Sequence, residues 1–589
     1  MPDGTQKGSA LVLPTAFSAA TQINTLLNPS VLIIGAGIGG ITLALDLDEK
    51  GLTNWLLVDR EDDVGGTWYV NRYPGCRCDI PAIGYSHSRF QNSQWTETHP
   101  DHKEIQAYWA KIVKTQGLTN RLRLQHDYVK AEWDSDQSLY HVTLRDIVND
   151  REFIVDAQVL VSATGLFSEP RRVPVKGEDE FSGRVIHAAR WPKDLTNEAM
   201  HGKNVVVVGN GCSGIQIVGT LGLDPEINVV SLARSKQWLM PSVNGGFAAE
   251  RNSSPVSEST RALRARFPFL QRWERTLMLG VLDTHFHWQY EKEGRRKRKQ
   301  MEKDLGDWMV ARAPEHLKDK IVPDFPFMAK RFVFEDGYLA AINRPHCKAV
   351  YGRIEALNHD SVIVDDGSEI KADIVVLSTG FDADHIDVQV QGESDSTANY
   401  DGKANLTYYH GIALPGMPNF YTMLGNNWVV NHSSVTTVLE IQAAYITQMV
   451  EAMRNHGIPK LEVKRPAAEA YDAWIERELK RTTWNRVANY WRKEGNGRIF
   501  THYPGTVLRM WWQNLWPVWA DYKGAERLAV RQRLRKFVFV LSLVAGALFT
   551  GKYMVDHQVL KRLNSEVTKL ITHAVGLGQT LKTNLVGNK

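Results

Sequence analysis

Two glycine-rich segments of this 589-residue chain have the spacing of turns that cradle phosphate groups. The two GxGxxG motifs consist of Gly35, Gly37 and Gly40 and of Gly209, Gly211 and Gly214. In such a motif the first glycine makes a tight turn, the second lets backbone N–H groups approach a pyrophosphate, and the third allows a helix to pack closely. The N-terminus of that helix adds partial positive charge. One motif is weak evidence, but the pair predicts two dinucleotide-binding sites.

A charged residue follows each motif at the distance where a dinucleotide-binding fold contacts the ribose. Asp59 lies 19 residues after Gly40, whereas Arg234 lies 20 residues after Gly214 and is followed by Ser235. An aspartate accepts hydrogen bonds from ribose hydroxyls but repels a 2′-phosphate, and a guanidinium favours one. The first site therefore suits a dinucleotide with a free ribose, such as FAD, and the second suits NADPH.

The segments around the motifs have the pattern of a strand, a turn, a helix and a second strand. Apolar strands at residues 30–34 and 205–208 run into the turns, and second strands are predicted at 55–58 and 228–233. The predicted fold class is α/β, with two Rossmann-like dinucleotide-binding domains and a C-terminal helical tail. The NADP domain is predicted to be inserted into a discontinuous FAD domain.

The predicted domain boundaries follow these patterns, and the strands at 362–364 and 374–377 are assigned to the second part of the FAD domain. The segments are an N-terminal extension (1–27), the first part of the FAD domain (28–175), the NADP domain (176–344) with a helical insert at about 245–320, the second part of the FAD domain (345–470), a Trp-rich segment (471–530) and a basic and apolar tail (531–589).

Two longer segments between the glycine motifs indicate which family of dinucleotide-binding proteins the chain resembles. Residues 65–79 read GGTWYVNRYPGCRCD, and residues 181–192 read FSGRVIHAARWP. At these residues the chain resembles the class B flavin monooxygenases and, within them, the type I Baeyer-Villiger monooxygenases, whose two fingerprint patterns it matches at every fixed position. The resemblance extends from about Ser30 to Trp519. Related enzymes that oxidise amines and sulfides usually carry tyrosine where this chain has Trp191.

The resemblance implies roles for particular residues. In the family, an arginine at the position of Arg331 lies over the flavin, with an aspartate at that of Asp79 beside it, and a lysine at that of Lys330 lies near the NADPH 2′-phosphate. We therefore predict Arg331 and Asp79 as catalytic residues. Besides the six glycines of the two motifs, the predicted cofactor-binding residues are Asp59, Gly66, Thr67, Trp68, Asp79, Tyr85, His187, Ser213, Arg234, Ser235, Lys330 and Asp382.

The resemblance also implies a reaction. In the family, NADPH reduces FAD, the reduced flavin combines with O2, and the resulting anion attacks a ketone carbonyl to give an ester or lactone. A permanently charged guanidinium suits Arg331 for stabilising that anion. The predicted substrate is a hydrophobic ketone of polyketide or terpenoid type, by analogy with fungal natural-product enzymes. Nitrogen or sulfur oxygenation stays open as the alternative, and a membrane-tethered scaffold with a relic flavin fold is a third hypothesis.

Composition excludes other classes of protein. The net charge of +4 is spread along the chain, whereas nucleic-acid binders concentrate basic residues on one face. The four cysteines show neither a disulfide framework nor the CxxC spacing of a metal site, so no metal is predicted and Cys76 and Cys78 are predicted spectator thiols. Because no secretory signal is recognised, an intracellular location is predicted, either cytoplasmic or anchored to a membrane on its cytosolic side.

Three further segments give the remaining expectations. Residues 537–551 carry no charge and follow several basic residues, so both a membrane anchor and a buried helix stay open. The basic run at 295–299 is predicted to be a solvated helix face. The tryptophan cluster (Trp511, Trp512, Trp516 and Trp519) is predicted to pack inside the fold, with lining of the substrate pocket as the alternative. The sequence does not indicate the oligomeric state.

Overall fold

The computed structural model describes residues 28–241, 253–383, 389–393, 399–400, 407–489, 491–492, 497–556, 565–570 and 572–573. The predicted N-terminal extension, residues 1–27, lies outside this part of the chain. The chain divides into a first unit, residues 1–517, and a second unit, residues 518–589.

The strands are short, and in chain order they are β1 (Val31–Ile34), β2 (Trp55–Val58), β3 (Leu122–Arg123), β4 (His126–Asp134), β5 (Leu139–Asp146), β6 (Arg151–Ala157), β7 (Val159–Ser162), β8 (Arg184–His187), β9 (Asn204–Val208), β10 (Asn228–Ala233), β11 (Leu239–Met240), β12 (Val333–Phe334), β13 (Cys347–Tyr351), β14 (Ile354–Leu357), β15 (Ser361–Val364), β16 (Glu369–Lys371), β17 (Ile374–Leu377), β18 (Val390–Gln391), β19 (Asn399–Tyr400), β20 (Phe420–Thr422), β21 (Glu462–Val463) and β22 (Tyr522–Lys523).

The α-helices differ widely in length, and in chain order they are α1 (Ile38–Glu49), α2 (Thr67–Val70), α3 (Ala82–Tyr85), α4 (His102–Thr115), α5 (Cys212–Leu221), α6 (Glu258–Arg266), α7 (Pro268–Thr284), α8 (Arg295–Arg312), α9 (Tyr338–Ala341), α10 (Val435–His456), α11 (Arg465–Leu479), α12 (Val507–Asn514) and α13 (Glu526–Asp556).

Two five-stranded parallel sheets organise the first unit. The first sheet has the order β20–β7–β1–β2–β3, and the second has the order β13–β10–β9–β17–β8. Their central strands are continuous apolar runs, such as VLII in β1 and IVVL in β17, because helices or loops cover both faces of a parallel sheet. The two predicted Rossmann-like folds are therefore present, and each glycine motif follows a central strand.

The return of the chain to the first sheet differs from the prediction. We predicted that strands after residue 345 belong to the first domain, but β13 and β17 pair with β10, β9 and β8 in the second sheet. The chain rejoins the first sheet at β20, which pairs with β7. The sequence of an apolar strand that is buried on both faces does not indicate which of two similar parallel sheets the strand joins. The sequence pattern therefore could not assign β13 and β17 to the second sheet.

The predicted helical insert contains α6, α7 and α8, while residues 242–252 lie outside the described residues. The predicted solvated face of α8 is wrong at one residue, because Arg298 is buried. Its guanidinium donates to the backbone carbonyl of Glu291 at 2.9 Å and to those of Trp288 and Tyr290. These carbonyls need a buried donor, and this explains an arginine inside the fold.

The predicted packing of the tryptophan cluster is wrong for the three members in the first unit. The side chains of Trp511, Trp512 and Trp516 are 43%, 69% and 65% exposed, and none of them lines the cavity described below. The buried side of α12 is formed by Met510 and Asn514, which leaves the tryptophans on the outer side. Trp519 lies in the second unit.

The described part of the second unit consists mainly of the long helix α13. The described side chains at residues 537–547 of this helix are exposed. Within the described ranges, no helix combines the length and the hydropathy that crossing a membrane requires.

Candidate active site

A cavity of about 1290 Å³ lies in the first unit, where the carboxyl ends of β1 and β9 meet the two glycine turns. This edge of a parallel sheet, where the strand order reverses, is the usual ligand site of such folds. The cavity lining includes most of the predicted site residues: Gly35, Gly37, Asp59, Gly66, Thr67, Trp68, Asp79, Tyr85, His187, Gly209, Gly211, Ser213, Arg234, Ser235, Lys330, Arg331 and Asp382.

Two predicted residues, Gly40 and Gly214, do not line the cavity. A Cβ atom on Gly40 would lie 2.0 Å from the carbonyl oxygen of Gly35, and one on Gly214 would lie 1.9 Å from that of Gly209. These glycines therefore let each helix approach its preceding turn. They shape the two cradles without facing a ligand.

The first turn is held in a backbone conformation that favours glycine. Gly35 has a φ of +107°, and a Cβ atom there would meet the carbonyl oxygen of Ala163 at 2.6 Å. Helix α1 begins directly after Gly37. Gly66 of the first fingerprint packs on this turn, because its own Cβ would lie 2.9 Å from the Cα of Gly37. The fingerprint segment is thus in contact with the first phosphate cradle.

Asp59, at the end of β2, accepts two backbone hydrogen bonds. The N–H of Ala36 in the glycine turn donates to Oδ2 at 2.6 Å, and the N–H of Glu61 donates to Oδ1 at 2.9 Å. Burial raises the pKa of this carboxyl to about 6, because a carboxylate loses hydration there, and the two N–H groups oppose the rise. The carboxylate is therefore fixed beside the first turn.

The second turn repeats this geometry with one difference. Gly209 has a φ of +108°, and a Cβ atom would meet the carbonyl oxygen of Ser378 at 2.6 Å. Gly211 precedes α5 and has no protein atom within 4 Å of where its Cβ would lie. No neighbouring protein atom requires glycine there, so the open space is available for close approach of a ligand.

The first fingerprint also packs on the second cradle. Ser213 Oγ donates to the hydroxyl of Tyr73 at 3.1 Å, and that hydroxyl donates to Oε1 of Gln216 at 3.1 Å. Gly75 packs against α5, since a Cβ atom would lie 2.7 Å from the carbonyl oxygen of Gln216. One fingerprint therefore contacts both cradles and fixes their spacing around the cavity.

Two basic side chains lie at the outer end of the second cradle. Arg234 follows β10 and is exposed, as is Ser235. Burial lowers the pKa of the Lys330 ammonium, and the nearby charge of Arg234 lowers it further. The positive charges of Arg234 and Lys330 repel each other, and an anion between them would relieve that repulsion. This end of the cavity therefore suits a phosphate.

Arg331 and Asp79 form an ion pair that lines the cavity. Nη2 of Arg331 donates to Oδ2 of Asp79, and Nε2 of Gln237 donates to the backbone carbonyl of Arg331 at 2.9 Å. Both charged side chains are about one-third exposed or less. The structure thus places the predicted catalytic pair together, with Asp79 on the guanidinium and Gln237 on the backbone of Arg331.

Trp68 and Tyr85 meet on another wall of the cavity. The indole N–H of Trp68 donates to the hydroxyl of Tyr85 at 2.9 Å, and the rings are nearly perpendicular with centroids 5.5 Å apart. Burial raises the pKa of the Tyr85 phenol well above its ordinary value. The phenol therefore stays neutral, and the hydrogen bond fixes the two rings relative to each other.

His187 is the last residue of β8, and Asp382 follows β17, the neighbouring strand of the second sheet. Nδ1 of His187 accepts from the backbone N–H of Ala189 at 3.1 Å, so the proton of the neutral imidazole is on Nε2. Asp382 accepts from Nε of Arg171 at 2.7 Å. These contacts support a positioning role for both residues.

Thr501 and His502 also line the cavity, although no sequence motif predicts them there. Burial, together with the charge of Arg331, lowers the pKa of the His502 imidazole to about 3. Oγ1 of Thr501 lies 2.6 Å from Nδ1 of His502, and the Trp491 ring lies 4.3 Å from the imidazole, measured between centroids. No motif surrounds these residues, so only the fold brings them to Arg331.

The remaining candidates for chemistry are the cysteines and a metal. Cys76 and Cys78 are free and buried, and burial raises the pKa of the Cys76 thiol to about 12. A thiolate at this position is therefore disfavoured. Across the described ranges, no group of three or more His, Cys, Asp or Glu side chains is arranged to hold a metal ion.

Comparisons with known proteins agree with this architecture. Residues 29–244 match the model of the pyridine nucleotide-disulphide oxidoreductase family. The chain is 30% identical over 485 residues to a Baeyer-Villiger monooxygenase of Streptomyces coelicolor. The aligned region covers 81% of this chain and 89% of that protein. The chain is 27% identical over 546 residues to the FAD-binding monooxygenase ktnD of Aspergillus niger, and that match covers 89% of this chain and 87% of the relative.

A solved structure shows the same fold. The crystal structure of cyclohexanone monooxygenase from Rhodococcus sp. Phi1, bound to NADP+, superposes with a TM-score of 0.71 at 22% sequence identity. The match covers 84% of this chain and 99% of that one.

Proposed function

The chain belongs to the Baeyer-Villiger monooxygenase family, and from that premise we propose that it uses FAD and NADPH to insert one oxygen atom of O2 beside the carbonyl of a hydrophobic ketone. One observation carries the proposal: both dinucleotide cradles and the Arg331–Asp79 pair line the same cavity. A binding or scaffold protein would not need a fixed cation between two such cradles.

The residues of the first cradle fit FAD. The turn at Gly35 and the start of α1 suit its pyrophosphate, and the Asp59 carboxylate suits the free ribose hydroxyls of its adenosine. Gly66, Thr67, Trp68 and Tyr85 would hold the rest of the molecule, since they line the cavity beyond this turn. The cavity is larger than the usual ~300–1,000 Å³ of a site for one small ligand, as two dinucleotides require.

The raised pKa of Asp59 predicts a pH dependence of FAD binding. The ionised carboxylate accepts the ribose hydroxyls, so the apoprotein should lose FAD affinity as the pH falls through about 6, by up to about tenfold per pH unit. Flavin fluorescence titration between pH 5 and 8 measures this. The Asp59→Asn variant should bind FAD weakly with a flat profile, and an equally steep profile in that variant would contradict the assignment.

The residues of the second cradle fit NADPH. Gly211 leaves open space for the pyrophosphate at the start of α5, and Arg234, Ser235 and Lys330 provide donors for a 2′-phosphate. His187 ends β8 of the second sheet and lines the cavity, where it would position the nicotinamide half.

Arg234→Ala should raise the KM for NADPH by about 10- to 100-fold, the expected loss for a charge-assisted hydrogen bond to phosphate. The KM for NADH should change little, because NADH has no 2′-phosphate. Steady-state kinetics measure the change in KM for NADPH and for NADH. Arg184→Ala is a matched control, since Arg184 is also an exposed arginine on the second sheet but lies outside the cavity. Equal KM changes for NADPH and NADH would refute the assignment.

The chemistry that reduced FAD supplies when bound is the activation of O2 for attack on a carbonyl. The chain's contribution is position and charge. Arg331 presents a cation that keeps its proton and stabilises the negative charge developing on the attacked carbonyl oxygen. Asp79 orients that guanidinium by accepting from Nη2. The neutral Trp68–Tyr85 pair excludes water from the same region without adding charge.

The substrate is proposed to be a lipophilic ketone of polyketide or terpenoid type. Support comes from the apolar part of the cavity lining, which includes Met423, Leu424, Val429, Val430, Val435 and Leu439. These side chains favour burial of an apolar carbon skeleton and offer it no charged partner.

A membrane surface is the further proposed partner of the tail. Support comes from α13, where the described side chains at 537–547 are apolar or small and exposed and follow Arg531, Arg533, Arg535 and Lys536. A helix with basic residues before an exposed apolar stretch suits the surface of a bilayer.

Product analysis tests the proposed reaction. The purified protein with NADPH and a panel of bulky ketones should give esters or lactones. Thioethers and tertiary amines offered in parallel separate this reaction from sulfur or nitrogen oxygenation, because only carbonyl attack gives an ester. Absence of bound flavin after purification would overturn the proposal.

A further inference from the structure

Helix α7 in the first unit is amphipathic, but its apolar face is the one that is exposed. Its outer face carries Phe269, Trp273, Leu277 and Val281 at intervals of four residues, with exposures of 57%, 63%, 61% and 58%. A surface helix ordinarily buries its apolar stripe and exposes its polar one. Four such side chains in one row therefore require an apolar partner.

Polar contacts hold the inner face of α7. Nε2 of Gln271 donates to the backbone carbonyl of Asn92 at 2.7 Å, and Nη2 of Arg275 lies 3.5 Å from Oε1 of Glu440. Met278 packs on α3, since a Cβ atom on Gly84 would lie 2.1 Å from its Cε atom. The helix is thus anchored with its apolar row outward, next to the segment that carries Tyr85.

Helix α12 and the residues after it extend the apolar surface. Leu508, Trp512 and Trp516 follow the same four-residue interval and are 66%, 69% and 65% exposed. Asp283 joins the two helices, because its carboxylate accepts from the N–H groups of Val507 at 2.6 Å and Leu508 at 3.1 Å. The end of the α7 row therefore meets the start of the α12 row.

Charge and composition identify the partner. Residues 258–284 contain five arginines and three acidic residues. Arg264 pairs with Glu274 and Arg275 with Glu440, whereas Arg266 and Arg272 are exposed beside the apolar row. Tryptophan with nearby basic residues suits the interface of an anionic bilayer. A two-fold contact with a second copy would bring the arginines of one face against those of the other, which is unfavourable. The exposed apolar stretch of α13 in the second unit is a separate feature that suits the same partner.

We propose that the outer faces of α7 and α12 form a docking surface for an anionic lipid bilayer. Two rows of apolar side chains enter the headgroup region, and the exposed Arg266 and Arg272 meet lipid phosphates. Docking there places α3 and its Tyr85 beneath the lipid, so a lipophilic ketone reaches the cavity from the bilayer. That consequence depends on the proposed function, whereas the docking itself does not.

Vesicle cosedimentation of the full-length holoprotein tests the docking. Vesicles of phosphatidylcholine with phosphatidylserine should bind it more strongly than phosphatidylcholine alone. The Trp273→Glu/Trp512→Glu variant should bind the anionic vesicles at least about tenfold more weakly, since charges replace two aromatic side chains that enter the bilayer on docking. Val148→Glu/Ile154→Glu is the matched control, because both side chains are exposed and apolar but lie elsewhere in the first unit, and it should bind like the native protein.

Two further measurements keep the test decisive. Flavin content and Tm verify folding, and Trp273→Gln/Trp512→Gln replaces the glutamate variant if that one does not fold.

The Phe539→Glu/Leu543→Glu variant in α13 should keep part of the binding to anionic vesicles. The proposal is overturned if the α7 and α12 variants bind anionic vesicles like the native protein. It is also overturned if the native protein is a lipid-free dimer that these substitutions dissociate. Product formation is not measured here, so failure of docking and failure of the proposed reaction remain distinguishable.

Discussion

Replacing Arg331 with alanine should lower the rate of ester formation by about 10²- to 10³-fold, the range observed when a fixed donor to a developing oxyanion is removed. Reduction of the bound flavin by NADPH should remain largely intact, because the guanidinium acts after oxygen has been activated. Stopped-flow absorbance of the flavin measures reduction, and gas chromatography of the product measures ester formation. The two rates are therefore expected to separate.

Two other substitutions distinguish charge from geometry at this position. Arg331→Lys keeps the positive charge but loses the planar fork that reaches Asp79, so we expect an intermediate loss. Asp79→Asn removes the charged partner of Nη2 and should lower ester formation through misorientation, with flavin still bound. If Arg331→Ala forms ester at the native rate, or if flavin reduction falls by the same factor, Arg331 does not have the proposed role.

Gly214→Ala should disrupt the second cradle and abolish NADPH binding. The new Cβ atom would lie 1.9 Å from the oxygen and 2.8 Å from the carbon of the Gly209 carbonyl group. Both atoms are backbone atoms of the turn, so α5 must move away from β9, at a cost of about 3 kcal/mol or more. Calorimetry should show a lower Tm, and fluorescence titration should show no saturable NADPH binding.

Gly211→Ala is the matched control, with the same chemical change three residues earlier. No protein atom lies within 4 Å of its would-be Cβ, and its φ of −73° suits any residue. The fold and Tm should therefore be retained, while the methyl group occupies the space for the pyrophosphate and weakens NADPH binding. A Tm loss in Gly211→Ala as large as in Gly214→Ala would contradict this division between a packing glycine and a ligand-facing glycine.

The local features of the two cradles could be predicted from the sequence because short-range sterics determine them. Gly35 and Gly209 both adopt the positive φ that their motifs imply, and Asp59 lies beside the first turn as its spacing predicts. The family resemblance also implied that Arg331 and Asp79 lie together, although 252 positions separate them.

Features that depend on tertiary context could not be predicted. Strand β17 joins the second sheet, and a buried run of IVVL gives no preference between two similar sheets. Arg298 is buried because it satisfies backbone carbonyls that only the folded chain places around it. His502 reaches the neighbourhood of Arg331 without any motif. The outward orientation of Trp512 reverses the usual expectation for an apolar side chain.

The most direct test of the central claim is the origin of the oxygen atom in the product. The holoprotein is incubated with NADPH, a bulky lipophilic ketone and isotopically labelled O2, and the product is analysed by mass spectrometry. The account predicts an ester or lactone that contains one labelled oxygen atom, with one NADPH consumed per product molecule. Label-free ester, or NADPH-driven oxygen uptake that yields only sulfoxides or N-oxides across the substrate panel, would contradict it.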